Sequence, residues 1–290
     1  MIYLLLSVLS STVIFVTFKL FDRFKINTLH AIVVNYLAAS ICGIIAYEGI
    51  VEAGEIVKKD WFLFTAGLGL LFIIIFNLMA ITTQRSGLSV VSVATKMSLV
   101  IPIIFGLLYY KESLGIYKFI GIILALVAVY LASVKTKSGL RINRRNLVYP
   151  FLVFLGSGVI DTSLKYLEDT HVAKNEVSIF SSMIFAAAAA AGLLLLAGQM
   201  IKGTFKFELK NMIGGIFLGI PNYFSVYFLV KALRSDILES SGIFTVNNVA
   251  VVMTSTLVGI LLFKEKLLPK NWVGIVLAII SILLVTLNSW

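Results

Sequence analysis

The chain holds few groups able to do chemistry. It has one cysteine, Cys42, and two histidines, His30 and His171, in 290 residues. A lone cysteine inside an apolar run excludes a disulfide within the chain and a cysteine-based metal site. Neither histidine has a second His or Cys at ligand spacing, so an enzyme built on a metal or on a base-activated nucleophile lacks its parts. No enzyme and no cofactor are expected, and both histidines read as interfacial polar residues. Charge is scarce too: 13% of the residues are charged, against about 25% in a soluble domain. Acidic residues are the rarer sign, 14 against 24 Lys and Arg, which leaves a net charge of +10. The basic residues fall between apolar runs and not on one amphipathic face, which speaks against a nucleic-acid partner.

Apolar surface fills the space that charge leaves. Hydrophobic residues make up 60% of the chain and the mean hydropathy is +1.03, so lipid is the expected solvent. The runs are continuously apolar and do not alternate, which excludes a membrane β-barrel. A helix crossing about 30 Å of hydrocarbon needs about 20 such residues. Ten segments qualify: 2–18, 29–47, 61–84, 89–109, 116–134, 148–168, 177–199, 212–233, 239–263 and 271–289. The first has no charge ahead of its apolar run and no small-residue cleavage site, so it reads as an uncleaved span. The linkers leave no room for a soluble domain. The expected class is all-α, a polytopic membrane protein.

The chain also repeats itself. Lys111-Glu112-Ser113-Leu114 and Lys264-Glu265-Lys266-Leu267 each follow an apolar run, and each leads into a run containing a glycine, Gly121 or Gly274. Earlier, Ser10 to Lys19 aligns with Gly156 to Lys165, sharing Val13-Ile14 with Val159-Ile160, and Arg85 aligns with Arg234. Two five-span repeats are expected, residues 1–137 and 146–290. An odd number of spans per repeat turns the second copy upside down relative to the first, a plan used by many secondary transporters.

Orientation follows from the loops. The first, third, fifth, seventh and ninth loops carry 15 Lys or Arg and the opposite side 8, so the positive-inside rule puts both termini outside the cytoplasm. Trp61 and Trp290 on one side and Trp272 on the other fit interfacial belts. The linker from Lys135 to Arg145, with five basic residues and none acidic, reads as a solvated loop or as a contact for anionic headgroups.

Ten spans in two halves, each with a Glu after its fourth span and a Gly in its fifth, resemble the EamA-type transporters of the drug/metabolite transporter superfamily. The resemblance covers nearly the whole chain. It implies an inverted-repeat bundle around a central cavity lined chiefly by spans 1, 3, 4, 6, 8 and 9. It implies transport of amino acids, other small metabolites or drugs, often outward and without ATP, in a bacterial inner membrane. A lipid flippase or multidrug exporter of the same fold is the alternative. The expected partners are a small-molecule substrate and the lipid bilayer, with proton coupling as an option. Glu112 and Glu265 read as markers at span ends, paired with neighbouring lysines.

Two charges lie well inside spans, where insertion costs about 2.5–3.5 kcal/mol each. Lys96 is about seven residues, roughly 10 Å, into the fourth span. It reads as a cationic site for a substrate carboxylate or phosphate, or as a lysine that snorkels to the interface. Ser89 and Ser92 share its face. Asp161 is about twelve residues, roughly 18 Å, into the sixth span. It either faces the cavity, holding a proton or a substrate amine, or pairs with Lys165 one turn on. Asn77, Asn222, Asn247 and Asn248 are candidate pathway amides, with Tyr223 beside a helix-interior Pro221. Asn35 reads as a helix-to-helix contact. Pro102 is a second candidate kink, while Pro150 and Pro269 sit near helix starts and need no functional role. The aromatic residues define no box by spacing alone.

Overall fold

Backbone in hydrocarbon must satisfy its own hydrogen bonds, and an apolar chain does so most simply as helices. The computed structural model describes residues 1–49, 53–86, 88–133, 148–235, 237–263 and 268–287. Among the described residues there are twelve α-helices and no strand. They are α1 (Ile2–Phe24), α2 (Thr28–Ile45), α3 (Ala53–Val57), α4 (Phe62–Ser86), α5 (Leu88–Met97), α6 (Val100–Tyr109), α7 (Ile116–Ser133), α8 (Val148–Thr170), α9 (Val177–Ile201), α10 (Leu209–Leu233), α11 (Ser240–Phe263) and α12 (Pro269–Leu287). The second Lys-Glu cassette, Glu265 included, the basic linker and Trp290 lie outside the described residues.

Six of these helices, α2, α4, α9, α10, α11 and α12, are long and apolar enough to cross a membrane. Shorter apolar stretches run over Ile2–Phe18, Val93–Tyr109 and Ile116–Ala132. The chain is therefore a multi-pass membrane protein. The sixth expected span is present as the 23-residue α8, but Asp161, Lys165, Glu168 and Asp169 make its second half polar. The short α3 was not anticipated.

The fourth expected span is split. α5 ends at Met97 and α6 starts at Val100, and Pro102 explains the break. Proline has no N–H to give to the carbonyl four residues back and its ring crowds that carbonyl. Here that carbonyl belongs to Ser98. It is taken instead by the N–H of Ile101 at 2.9 Å, while the Ser98 hydroxyl donates to the Thr95 carbonyl at 2.6 Å. Pro221, by contrast, sits inside an α10 that runs on through it. Pro150 and Pro269 fall in the first turns of α8 and α12, as expected.

The packing falls into two units, each drawing on both halves of the sequence. The first comprises Met1–Leu9, Ile75–Thr162 and Ala232–Trp290. Its tightest pair is α7 with α12, and the glycines flagged by the repeat make that crossing. A Cβ on Gly121 would come 2.7 Å from Val285, and one on Gly274 would come 2.7 Å from the Ala132 nitrogen and 3.0 Å from the Ala128 oxygen. Such close approach of backbones through small residues is how helices associate when lipid supplies no hydrophobic drive. Ala125, Ala128, Val129, Ala132 and Ala278 complete the seam with Val249 and Val252 of α11. Asn271 bolts its end, donating to the Leu131 carbonyl at 2.7 Å.

The second unit comprises Ser10–Ile74 and Ser163–Lys231. There α2 packs on α9, with Gly43 against Ser182 and Gly192 against Val33. The Ser182 hydroxyl donates to the Ser40 carbonyl at 2.7 Å. On another side of α2, Gly215 and Gly219 of α10 lie 2.6 Å, at the Cβ position, from the Ala31 and Asn35 carbonyls. In both units a helix thus pairs with the helix that occupies the same place in the other half of the sequence: the second expected span with the seventh, the fifth with the tenth.

Candidate functional site

α5 carries Lys96 one residue before its end, next to the break made by Pro102. The Lys96 ammonium donates to the Asn248 side-chain oxygen at 3.1 Å. The Asn248 amide nitrogen in turn donates to the Phe244 carbonyl one turn back along α11, at 3.0 Å, which fixes the direction of the side chain. Asp161 of α8 is near enough for its charge to act on Lys96. Its position follows from small residues on the same helix. Gly158, three residues earlier and on the same face, lies under Ile101 of α6, and Gly156 lies under Ile75 of α4. On α11, Asn247 is buried with a side-chain oxygen that has no hydrogen-bond partner among the described residues.

Lys96, Asp161 and Asn248 are thus gathered in the first unit, with Asn247 next to Asn248. Lys165, the other partner open to Asp161, instead sits 3.4 Å from Glu168 and 3.8 Å from Asp169. Asn77 is half-buried on α4. The side chains of Ser89 and Ser92 lie outside the described residues. Asn222 and Tyr223 belong to the second unit. There Asn222 donates to the Asn35 side-chain oxygen at 3.0 Å, and the Tyr223 hydroxyl meets that of Ser178 at 3.0 Å. Asn35 does join helices, as its sequence position implied.

Such a site is electrically balanced. A cation, an anion and amides with one vacant acceptor are the groups that would hold a carboxylate and an ammonium on one small molecule, each charge meeting its opposite. In a low-dielectric setting an unpaired charge would be costly, and the opposite charges of Lys96 and Asp161 offset part of that cost.

A family model described as the EamA-like transporter family matches residues 1–134 and 170–287. The chain belongs to the EamA-like transporter family. A protein of Haemophilus influenzae, described only as uncharacterized, is 26% identical over 284 residues, spanning 96% of this chain and 95% of that one. A crystal structure of a further protein shares the fold at a TM-score of 0.78 and 11% identity, covering 99% of this chain and 97% of the other. Membership in EamA places the chain among membrane transporters of the drug/metabolite type.

Two polar clusters escaped the sequence reading of this EamA chain. Glu112 was expected to pair with Lys111. It reaches instead across the sequence to the start of α11, accepting from the backbone N–H of Ser240 at 3.0 Å and of Ser241 at 3.2 Å, and from both serine hydroxyls. Helix N-termini present unsatisfied N–H groups that a carboxylate suits. Lys118, 3.5 Å away, is buried between Glu112 and Glu239 and donates to the Ser113 carbonyl at 3.0 Å. Burial pushes the Glu112 carboxyl up, but the two serines and the Lys118 charge together outweigh it and hold it below the ordinary carboxylate range.

Trp61, expected in an interfacial belt, is 1% exposed at the head of α4. Its indole N–H donates to Glu176 at 2.9 Å, and Lys59 approaches the same carboxylate at 2.7 Å. His171 packs on Phe64 and Tyr166. The only sequence signal for the first cluster is the Ser240-Ser241 pair, a natural helix start.

Proposed function

We propose that this chain is a secondary transporter, in the exporting direction, of a small zwitterionic or otherwise polar metabolite such as an amino acid. It works by alternating access between two inverted five-helix repeats, residues 1–137 and 146–290, ten spans in all, around a central cavity. The observation that carries the reading is the juxtaposition of Lys96 with Asn248 and Asp161 within spans that are otherwise apolar. Intramembrane charges of this kind mark substrate or ion pathways. The interrupted fourth span supports it, since discontinuous helices form binding sites in such carriers. The pairing of α2 with α9 and of α7 with α12 supports the repeat.

In this reading Lys96 holds the substrate carboxylate, Asp161 its ammonium or a coupling proton, and Asn247, Asn248, Asn77 and Ser92 supply further hydrogen bonds. Asn222 and Tyr223, engaged with Asn35 and Ser178, act in joining helices. The protein sits in a bacterial inner membrane with both termini non-cytoplasmic, a topology that reporter fusions at the C-terminus check directly. The functional test is counterflow and efflux of an amino-acid panel in proteoliposomes, with and without a pH gradient. Lys96→Gln abolishes flux, and Asp161→Asn leaves any remaining flux insensitive to the gradient. Flux that stays gradient-dependent in Asp161→Asn removes that residue from coupling, and no flux of any panel member above empty liposomes sinks the reading.

A further inference from the structure

The second unit holds a cavity of about 430 Å³ where the end of α1 and the start of α2 meet the end of α9 and the start of α10. Its lining carries three lysines, Lys25, Lys206 and Lys210, against the single carboxylate Glu208, with His30 beside them. Glu208 is occupied locally, 3.2 Å from the Lys210 ammonium and accepting from the Asn211 amide at 3.4 Å. Two helices begin here. Asn27 caps α2 by accepting from the His30 N–H at 3.2 Å, and its own N–H donates to the Asn211 oxygen at 2.8 Å, tying the head of α2 to the head of α10. The positive ends of both dipoles therefore lie at the same cavity. His30 is held by Gln199 at 3.0 Å and packs on Phe205.

The two helix ends at this cavity are built alike. α1 and α9 end here in the same way, with a residue in the left-handed conformation and a bond from the next N–H five residues back: Ile26 to Phe21 and Thr204 to Gln199, both at 3.0 Å. In α9 the left-handed residue is Gly203, at φ +67, as that conformation favours. In α1 it is Lys25, at φ +50. A side chain with a Cβ is strained there; Lys111 takes the same conformation, at φ +53, after the end of α6. The closing contact of Ile26 with the Phe21 cluster holds the turn in place and fixes Lys25 at the cavity wall.

We propose that this cavity binds a phosphate group, supplied either by the headgroup of an anionic phospholipid or by a soluble phosphate compound. Its lysines and two helix starts match a diffuse multivalent anion better than a carboxylate, and it opens among the loops of the strongly basic side of the sequence, where headgroups lie. The site shares no residue with the Lys96 cluster, and its test does not depend on transport.

The experiment uses the full chain in nanodiscs of phosphatidylcholine alone or with phosphatidylglycerol, read by thermal melting and by native mass spectrometry of retained lipid. A second arm titrates inorganic phosphate into the phosphatidylcholine nanodiscs. Lys25→Gly relieves the backbone strain and therefore folds, and Lys206→Gln with Lys210→Gln removes two charges. Each lysine lost weakens binding about fivefold. Phosphatidylglycerol retention and a raised melting point in the wild type alone assign the site to a headgroup. A response to inorganic phosphate alone assigns it to a soluble ligand. Equal behaviour of the wild type and Lys25→Gly toward both probes overturns the proposal.

Discussion

Removing the Glu112 side chain tests the physical picture at its most specific contact. Its carboxylate satisfies the first two N–H groups of α11 from 128 residues away in sequence, with its side chain 7% exposed. A hydrogen bond to a charged group contributes about 1.5–3 kcal/mol and the loss of a helix cap about 0.5–2 kcal/mol. The two serine hydroxyls can turn to other acceptors and Lys118 keeps Glu239, so neither enlarges the loss. Glu112→Ala therefore costs about 3 kcal/mol, a melting point lower by on the order of 5–10 °C. Glu112→Gln keeps one acceptor and costs about half as much. The carboxyl is held below its ordinary value of 4.5 in the folded protein. Its stabilisation is therefore complete above that ordinary value and declines as pH falls through the depressed one. The assay is detergent-solubilised melting of the three proteins across that range: their melting points should separate near neutrality and converge on acidification. A Glu112→Ala protein that melts with the wild type at neutral pH would show that α11 does not depend on this cap.

Two further outcomes follow from packing and burial. Gly274→Ala drives a Cβ to within 2.7 Å of the Ala132 backbone nitrogen, which cannot swing aside as a side chain would. It should destabilise by about 1–3 kcal/mol, whereas the same change at Gly67, which has open space at its Cβ position, should be silent in the same melting assay. Glu176→Ala leaves the buried Trp61 indole N–H without its acceptor and costs about 1–3 kcal/mol, visible in melting and in a shifted tryptophan emission. Lys59→Ala, at a half-exposed partner of the same carboxylate, should leave both nearly unchanged.

Much of the fold was legible in the sequence because lipid simplifies the problem. Continuous apolar runs have to be helices, and the positions of α2, α7, α9, α11 and α12 follow the runs within a few residues. The split of the fourth span is hidden because Pro102 and Pro221 look alike in sequence, yet a break precedes Pro102, in the first turn of α6, while α10 runs on through Pro221. At Pro102 the freed Ser98 carbonyl is taken by the Ile101 N–H in a tighter turn. At the candidate site the sequence singled out Lys96, Asp161 and Asn248 as costly polar groups in apolar runs. It could not tell that Lys96 turns to Asn248, 152 residues away. Glu112 escapes a local reading for the same reason: adjacency to Lys111 is visible in sequence, whereas a helix start brought in from residues 240–241 is not. Asn222 meets Asn35 at a separation of 187 residues, which no local pattern announces.

The glycine crossing of α7 and α12 makes the C-terminal helix a wall and not an appendage. A chain cut before Pro269 would leave Gly121 and the alanines beneath it as a shallow furrow open to acyl chains, too smooth for lipid tails to fill well. Such a truncated molecule would find relief by docking the bare furrow against that of a second copy, so the damage would be read as unwanted pairing in the bilayer before it was read as lost transport.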